Sequence, residues 1–385
     1  MKKLVIVTAT RAEYGLLAPI IKKLQKNGNV EVRLAVTGAH LSPEFGMTVK
    51  EIEADGIAID KKIEILMSSD TPVGISKSMG LAIISFAEYF AESKPDALMV
   101  LGDRYETLAI ACAALNNRTP IIHLYGGEAT LGAIDEAVRN AITKLSFLHF
   151  TSTEEYRHRV IQMGEAPERV FYVGAMGVEN AKNIKFLNKK ELETKIGFSL
   201  GDKHAVLTFH PVTLEGNTAE RQTKELLKAI IKFPDINFLC TKANADADGR
   251  IINKLLGEYA DEYPNIHLVD SLGTQKYLSA VSCSEFVIGN SSSGIVEVPS
   301  FKIPTINIGD RQLGRIQADS VINCKPLEKC IIKAINKSLS NNFKDKLENM
   351  INPYGDGNTS EKIVSITEDY LNGNKIFLKK KFFDI

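Results

Sequence analysis

Charged and small polar residues collect directly after short apolar runs in this chain, where they could act on a phosphate or move a proton. The first such group is Thr8-Ala9-Thr10-Arg11-Ala12-Glu13. An arginine at a strand-to-helix turn can offer its bidentate fork to phosphate beside the positive end of the helix. The plainer alternative is a helix capped by Thr10 with Arg11 in solvent. In the second group, Gly102-Asp103-Arg104-Tyr105-Glu106, a strand-end carboxylate precedes an arginine. That order suits a base beside a phosphate site, and it equally suits Asp103 as the cap of a helix starting near Glu106. The third group is His123-Leu124-Tyr125-Gly126-Gly127-Glu128, followed by Ile134-Asp135-Glu136 and Arg139. Paired glycines permit close backbone approach or positive φ. Asp135 and Arg139 are four apart and could form a simple pair on one helix face. The alternative gathers Asp103, Glu128 and Asp135 around one pocket, where clustered carboxylates raise one another's pKa as acid–base work at neutral pH requires.

The second half has a different chemistry. His210 sits in Phe209-His210-Pro211 at the end of an apolar run, where histidine serves structure as readily as function. In Ile288-Gly289-Asn290-Ser291-Ser292-Ser293-Gly294 three serines enter a helical stretch. Their N–H and O–H groups can meet phosphate without bulk, and Glu297, about a turn later, can accept from ribose hydroxyls. An ordinary serine-rich cap is the competing reading. Gly309-Asp310-Arg311-Gln312-Leu313-Gly314-Arg315 adds two cations. The chain has no P-loop, no G-x-G-x-x-G and no nucleophile elbow. Its seven histidines lack metal-ligand spacing. Neither a metal nor a cofactor is expected.

Positioning these groups requires strands and helices in alternation. Strands are expected at Leu4–Thr8, Val30–Val36, Ala97–Leu101, Pro120–Leu124 and Phe147–Thr151, with helices at 106–117 and 134–145. The rhythm recurs with strands at Ala205–Phe209, Asn237–Cys240, His267–Val269, Phe286–Ile288 and Thr305–Ile308. Helical patterns cover 219–232, 249–260 and 274–282, and a last one covers 359–372. Runs that are apolar throughout suit parallel strands covered on both faces. The fold class is therefore α/β, with two doubly wound, Rossmann-like parallel-sheet domains facing an interdomain cleft. The expected division is 1–180, 181–360 and a C-terminal helix and tail, 361–385, packing back on the first domain. The Asn-, Lys- and Gly-rich stretch from Gly174 to about Lys190 reads as the boundary.

A chain of 385 residues exceeds one ordinary core, which supports two domains. Lys plus Arg equals Asp plus Glu at 47 each, so no global field favours nucleic acid or an anionic membrane. No stretch approaches the roughly 20 apolar residues that span a bilayer. Five scattered cysteines read as reduced thiols in a cytoplasmic protein.

Taken in order, these segments resemble the hydrolysing UDP-N-acetylglucosamine 2-epimerases of bacterial sialic-acid pathways. The resemblance is carried by Thr10-Arg11-Ala12-Glu13-Tyr14, Gly102-Asp103-Arg104-Tyr105-Glu106, Gly126-Gly127-Glu128 and Ile134-Asp135-Glu136. Phe209-His210-Pro211, Gly289-Asn290-Ser291-Ser292-Ser293-Gly294 and Gly309-Asp310-Arg311-Gln312 complete it, with Thr151-Ser152-Thr153-Glu154-Glu155 in support. The resemblance implies a glycosyltransferase-B-like fold, a UDP-sugar substrate and a homodimer. It implies that Arg11, Arg104, Arg139, His210, Asn244, Ser291, Ser292, Ser293, Glu297 and Arg315 bind substrate. Asp103 and Asp135 become proton-transfer carboxylates. Tyr125 stands where the family commonly has a third acidic residue, and nearby Glu128 is assigned that role. The implied reaction eliminates UDP to leave a glycal, then hydrates it to free N-acetylmannosamine. UDP-N,N′-diacetylbacillosamine is the alternative substrate. A glycosyltransferase or a non-catalytic UDP-sugar sensor is the alternative of another class.

Overall fold

The computed structural model describes residues 1–67, 71–130, 134–212, 218–243 and 249–385. Two compact units emerge. The first takes Met1–Glu128, Ile134–Glu179 and Gly355–Ile385, and the second is built on Asn180–Tyr354.

In the first unit the strands are β1 (Lys2–Thr8), β2 (Val30–Thr37), β3 (Ile59–Ile63), β4 (Ala97–Leu101), β5 (Ile121–Leu124), β6 (Leu148–Thr151) and β7 (Val170–Tyr172). They form one sheet in the order β3-β2-β1-β4-β5-β6-β7, every pair parallel. The helices are α1 (Arg11–Asn27), α2 (Val49–Ala54), α3 (Pro72–Ser93), α4 (Tyr105–Asn116), α5 (Asp135–Leu145), α6 (Glu154–Gln162) and α7 (Met176–Asn183). Side chains of a strand alternate between faces, and both faces here are dry. Leu4 and Ile6 pack with Leu17 and Ile20 of α1, while Val5 and Val7 pack with Phe86, Phe90 and Ile110 on the other side.

The second unit repeats the plan. Its strands are β8 (His204–Thr208), β9 (Asn237–Thr241), β10 (Ile266–Val269), β11 (Phe286–Gly289), β12 (Thr305–Ile308) and β13 (Val321–Cys324). The order is β10-β9-β8-β11-β12-β13, again parallel throughout. Helices α8 (Lys189–Ile196), α9 (Ala219–Ile230), α10 (Gly249–Glu262), α11 (Gly273–Ser282), α12 (Ser293–Val296), α13 (Glu328–Leu339) and α14 (Asn341–Leu347) cover it.

The chain then closes with α15 (Thr359–Asn372), which packs on α1 and belongs to the first unit. The tail beyond it is anchored there too. Lys380 Nζ bonds both oxygens of the buried Glu165 at 2.8 and 2.9 Å, and the Phe383 N–H donates to the Gly164 carbonyl.

Sequence patterning missed β3, β7 and β13. All three are edge strands, short and half-solvated, so they lack the continuous apolar run of a central strand. The stretch read as a boundary linker contains α7, and the two units divide after Glu179, within that helix. No helix among the described residues is long and apolar enough to cross a membrane.

Candidate active site

Open parallel sheets take ligands at the carboxyl ends of their strands, where the strand order reverses. In the first unit that point lies between β1 and β4. Thr10 caps α1 by accepting from the Glu13 N–H at 3.3 Å, and Arg11 pairs with Glu51 of α2 at 3.0 Å while staying half exposed. The Glu13 side chain folds back instead of facing water. Its Oε2 accepts from the Ala9 N–H at 2.7 Å, and burial raises its pKa to about 7.

After β4, Gly102 turns the chain with φ 83°. Asp103 does not cap α4, which has Arg104 at its N-cap and no side-chain capping bond. Its carboxylate accepts instead from Arg139 Nη2. Arg139 is 1% exposed and forms the centre of this site. Its Nη1 donates to Glu136 Oε2 at 3.0 Å and to the Glu128 carbonyl at 2.7 Å. A buried guanidinium needs its partners, since an uncompensated buried charge is costly. Buried in this way, Arg139, expected among the UDP-sugar-binding residues, braces Asp103 and the Glu128 main chain.

Glu128 itself is buried, and its Oε1 accepts from Ser152 Oγ at 2.7 Å. So Asp103 and Glu128 share Arg139, one through its side chain and the other through its backbone. Asp135 opens α5, one residue before the Glu136 that Arg139 grips, and is half-buried. The Gly-Gly turn has a steric reason. Gly127 has φ 78°, and a Cβ there would meet the Tyr156 carbonyl at 2.4 Å. Tyr125 also has positive φ, 71°, and its hydroxyl accepts from the Met176 N–H at 2.7 Å. His123 lies beneath, with Nε2 2.9 Å from the Gly102 carbonyl, so that nitrogen carries the proton. Burial lowers the His123 pKa to about 3, and the ring is neutral.

In the second unit the order reverses between β8 and β11. Here Asn290 ties the two strand ends together. Its Oδ1 accepts from the His210 N–H at 2.7 Å and its Nδ2 donates to the His210 carbonyl at 2.8 Å. The approach demands glycine at position 289, where a Cβ would lie 1.8 Å from the Thr208 carbonyl. The Asn290 carbonyl in turn accepts from Arg311 Nη1 at 3.0 Å and Gln312 Nε2 at 2.9 Å. His210 is buried and neutral, its pKa lowered to about 4 by burial and then by Arg311. Ser291 and Ser292 lie on the turn that follows, half-buried and exposed respectively. The helix they enter, α12 from Ser293, is only one turn long before a 3-10 turn at Val298–Phe301. Glu297 stands at its C-cap, and Arg315 is half-buried in the turn after β12. Asn244 lies outside the described residues.

Sequence reading passed over Glu13, Glu106 and Asn290. Glu106 is buried and accepts from Arg104 Nε at 2.8 Å. The signal available was spacing: Arg11-Ala12-Glu13 and Arg104-Tyr105-Glu106 place the same Arg-x-Glu at the two strand ends that flank the reversal.

Comparison with known proteins agrees with this architecture. A family model described as UDP-N-acetylglucosamine 2-epimerase matches residues 22–368. A Campylobacter jejuni protein named GDP/UDP-N,N′-diacetylbacillosamine 2-epimerase (hydrolyzing) is 43% identical over 387 residues, covering 100% of this chain and 99% of its own. The Escherichia coli polysialic acid biosynthesis protein P7 is 41% identical over 387 residues, covering 100% and 98%. The crystal structure of UDP-GlcNAc 2-epimerase from Neisseria meningitidis bound to UDP-GlcNAc matches with TM-score 0.81 at 23% identity, covering 95% of this chain and 99% of that one. That likeness shows the fold, two Rossmann-like domains of the glycosyltransferase-B-like class.

Proposed function

The chain belongs to the UDP-N-acetylglucosamine 2-epimerase family, and from that premise we propose that it hydrolyses UDP-N-acetylglucosamine to UDP and N-acetylmannosamine. The coarser activity is that of a hydrolysing 2-epimerase of UDP-sugars. One observation carries the finer division of labour. The strand reversal of one unit bears a carboxylate braced by a buried arginine, and that of the other bears serines, a neutral histidine and cations.

In this reading the second unit takes UDP through His210, Ser291, Ser292, Ser293, Glu297, Arg315 and Asn244. Arg11 and Arg104 of the first unit add cations. Asp103 removes the proton from carbon 2 as the carbon 1–oxygen bond breaks and its electrons leave with UDP. Cations and N–H donors matter because the departing diphosphate gains charge in that step. Water then adds to the glycal, its hydroxyl to carbon 1 and a proton to carbon 2 from the opposite face. Asp135 and Glu128 are the remaining proton-transfer groups. A cytoplasmic homodimer belongs to the same reading.

A second substrate is favoured by a specific observation, that the 43% identical Campylobacter jejuni relative is a GDP/UDP-N,N′-diacetylbacillosamine 2-epimerase by name. UDP-N,N′-diacetylbacillosamine differs from UDP-N-acetylglucosamine at carbons 4 and 6, away from the reacting bond. Initial rates of UDP release from each nucleotide sugar, measured side by side, decide between them. Faster turnover of UDP-N-acetylglucosamine with free N-acetylmannosamine as product is expected, and a strong preference for the diacetylated sugar reassigns the substrate.

A further inference from the structure

Elimination and hydration make no use of a buried charge cluster at the end of α5 remote from Asp135. Glu165, just after α6, is fully buried. It accepts from Lys144 Nζ at 2.6 Å and from Lys380 Nζ through both oxygens, and His149 Nε2 stands 3.3 Å from it. Burial alone would raise the Glu165 pKa, but bonds from His149, Lys144 and Lys380 hold it down at about 2, so the carboxylate is ionised.

The Lys380 ammonium does more than neutralise that charge. Its Nζ also donates to the Lys144 carbonyl at 2.8 Å and to the Ser146 carbonyl at 2.7 Å, in the last turn and at the C-cap of α5. A cation there satisfies orphan carbonyls and complements the negative end of the helix. Three further contacts seat the C-terminal tail for this purpose. The Phe377 ring meets Phe147 edge-on with centroids 6.5 Å apart. The Phe382 ring lies against Gly164, where a Cβ would come within 2.2 Å of it. The Phe383 N–H donates to the Gly164 carbonyl at 2.9 Å.

Two routes lead from this cluster to Asp103. Along α5, Arg139 precedes Lys144 by little more than a turn, a rise of about 7.5 Å, and holds the Asp103 carboxylate. Through the sheet, His149 on β6 stands opposite His123 on β5, and His123 Nε2 bonds the Gly102 carbonyl beside Asp103. Thr143 of α5 lies 3.3 Å from the other His123 nitrogen, so both routes depend on the same helix. We propose that Lys380 is a positioning residue for Asp103: by closing the C-terminal end of α5, it fixes the helix that carries Arg139 and Asp135. The inference rests on Asp103 as the base and extends that reading to the tail.

Turnover and nucleotide binding, measured separately on the full chain, test this. In Lys380→Met, kcat for UDP release from the better nucleotide sugar is expected to fall about 10–100-fold, the scale of a misplaced catalytic group. The Kd for UDP should stay within about twofold, because the nucleotide site shares no partner with Lys380. Should the lone charge on Glu165 keep this variant from folding, Glu165→Gln combined with Lys380→Met removes both charges together, and the same fall in kcat is expected. Hydrogen exchange needs no variant: the Phe383 amide of the wild-type protein should exchange at least roughly tenfold more slowly than in an unstructured chain. Unchanged kcat in either folded variant overturns the proposal. So does a parallel loss of UDP affinity, or a Phe383 amide that exchanges as fast as free chain. Undiminished turnover by Asp103→Asn strikes the reading of Asp103 instead.

Discussion

Gly102-Asp103-Arg104 follows β4 in the first unit, and Gly309-Asp310-Arg311 follows β12 in the second. Both glycines turn the chain with positive φ, 83° and 72°. From there the two turns diverge. In the first, the aspartate is held by the buried Arg139. In the second, Asp310 lies exposed, and the arginine reaches inward to the Asn290 carbonyl. Strand position explains the divergence. β4 borders the reversal next to β1, so its turn lines the ligand position directly. β12 stands one strand beyond the reversal between β8 and β11, and from its turn Arg311 braces the Asn290 carbonyl that ties those strand ends. A shared tripeptide thus says little about chemistry until the strand before it has been placed in the sheet order.

This comparison can be broken at each residue. Asp103→Asn is expected to lower the rate of UDP release about 1000-fold, within the range for loss of a general base. UDP binding by calorimetry should stay within about threefold. If binding collapses as well, Asp103 is structural and the contrast between the turns fails. Arg315→Ala should weaken UDP binding by roughly 10–100-fold, the worth of a charge-assisted bond of about 1.5–3 kcal/mol. An unchanged affinity would remove the second unit's cation from the site. Arg311→Ala should destabilise the second unit by about 1–2 kcal/mol in urea unfolding, through the lost bond to Asn290. Asp310→Asn should do least, shifting stability by less than about 0.5 kcal/mol and turnover by less than twofold. A large effect there would make the two turns equivalent after all.

The central strands were legible because burial on both faces writes them as unbroken apolar runs. Ala97–Leu101 and Thr305–Ile308 fall where that pattern places them. The edge strand Ile59–Ile63 was not, since Asp60, Lys61 and Lys62 in its middle are exposed and look like loop. Asp103, Asp135 and the serine turn stood out as candidates from residue type and place in the chain, and the structure sets Asp103 and the serine turn after β4 and β11. Glu13 and Glu106 were hidden because an acidic residue in a first helical turn usually faces solvent and complements the dipole. The backward fold of Glu13 onto the Ala9 N–H, four residues earlier, puts it indoors, and the Thr10-x-x-Glu13 spacing at the helix start was the local signal for it. Asn290 was passed over for a different reason. Its partner His210 is 80 residues away, and the bond exists only once β8 and β11 are neighbours.

The division between a carboxylate-bearing unit and a nucleotide-holding unit is tested most directly by incubating the protein with UDP-N-acetylglucosamine in D₂O and following the sugar by NMR. The predicted products are free UDP and free N-acetylmannosamine carrying one deuterium at carbon 2. A product still attached to UDP, or a released sugar that keeps its original proton at carbon 2, would contradict proton removal by the first unit and hydrolytic release of UDP.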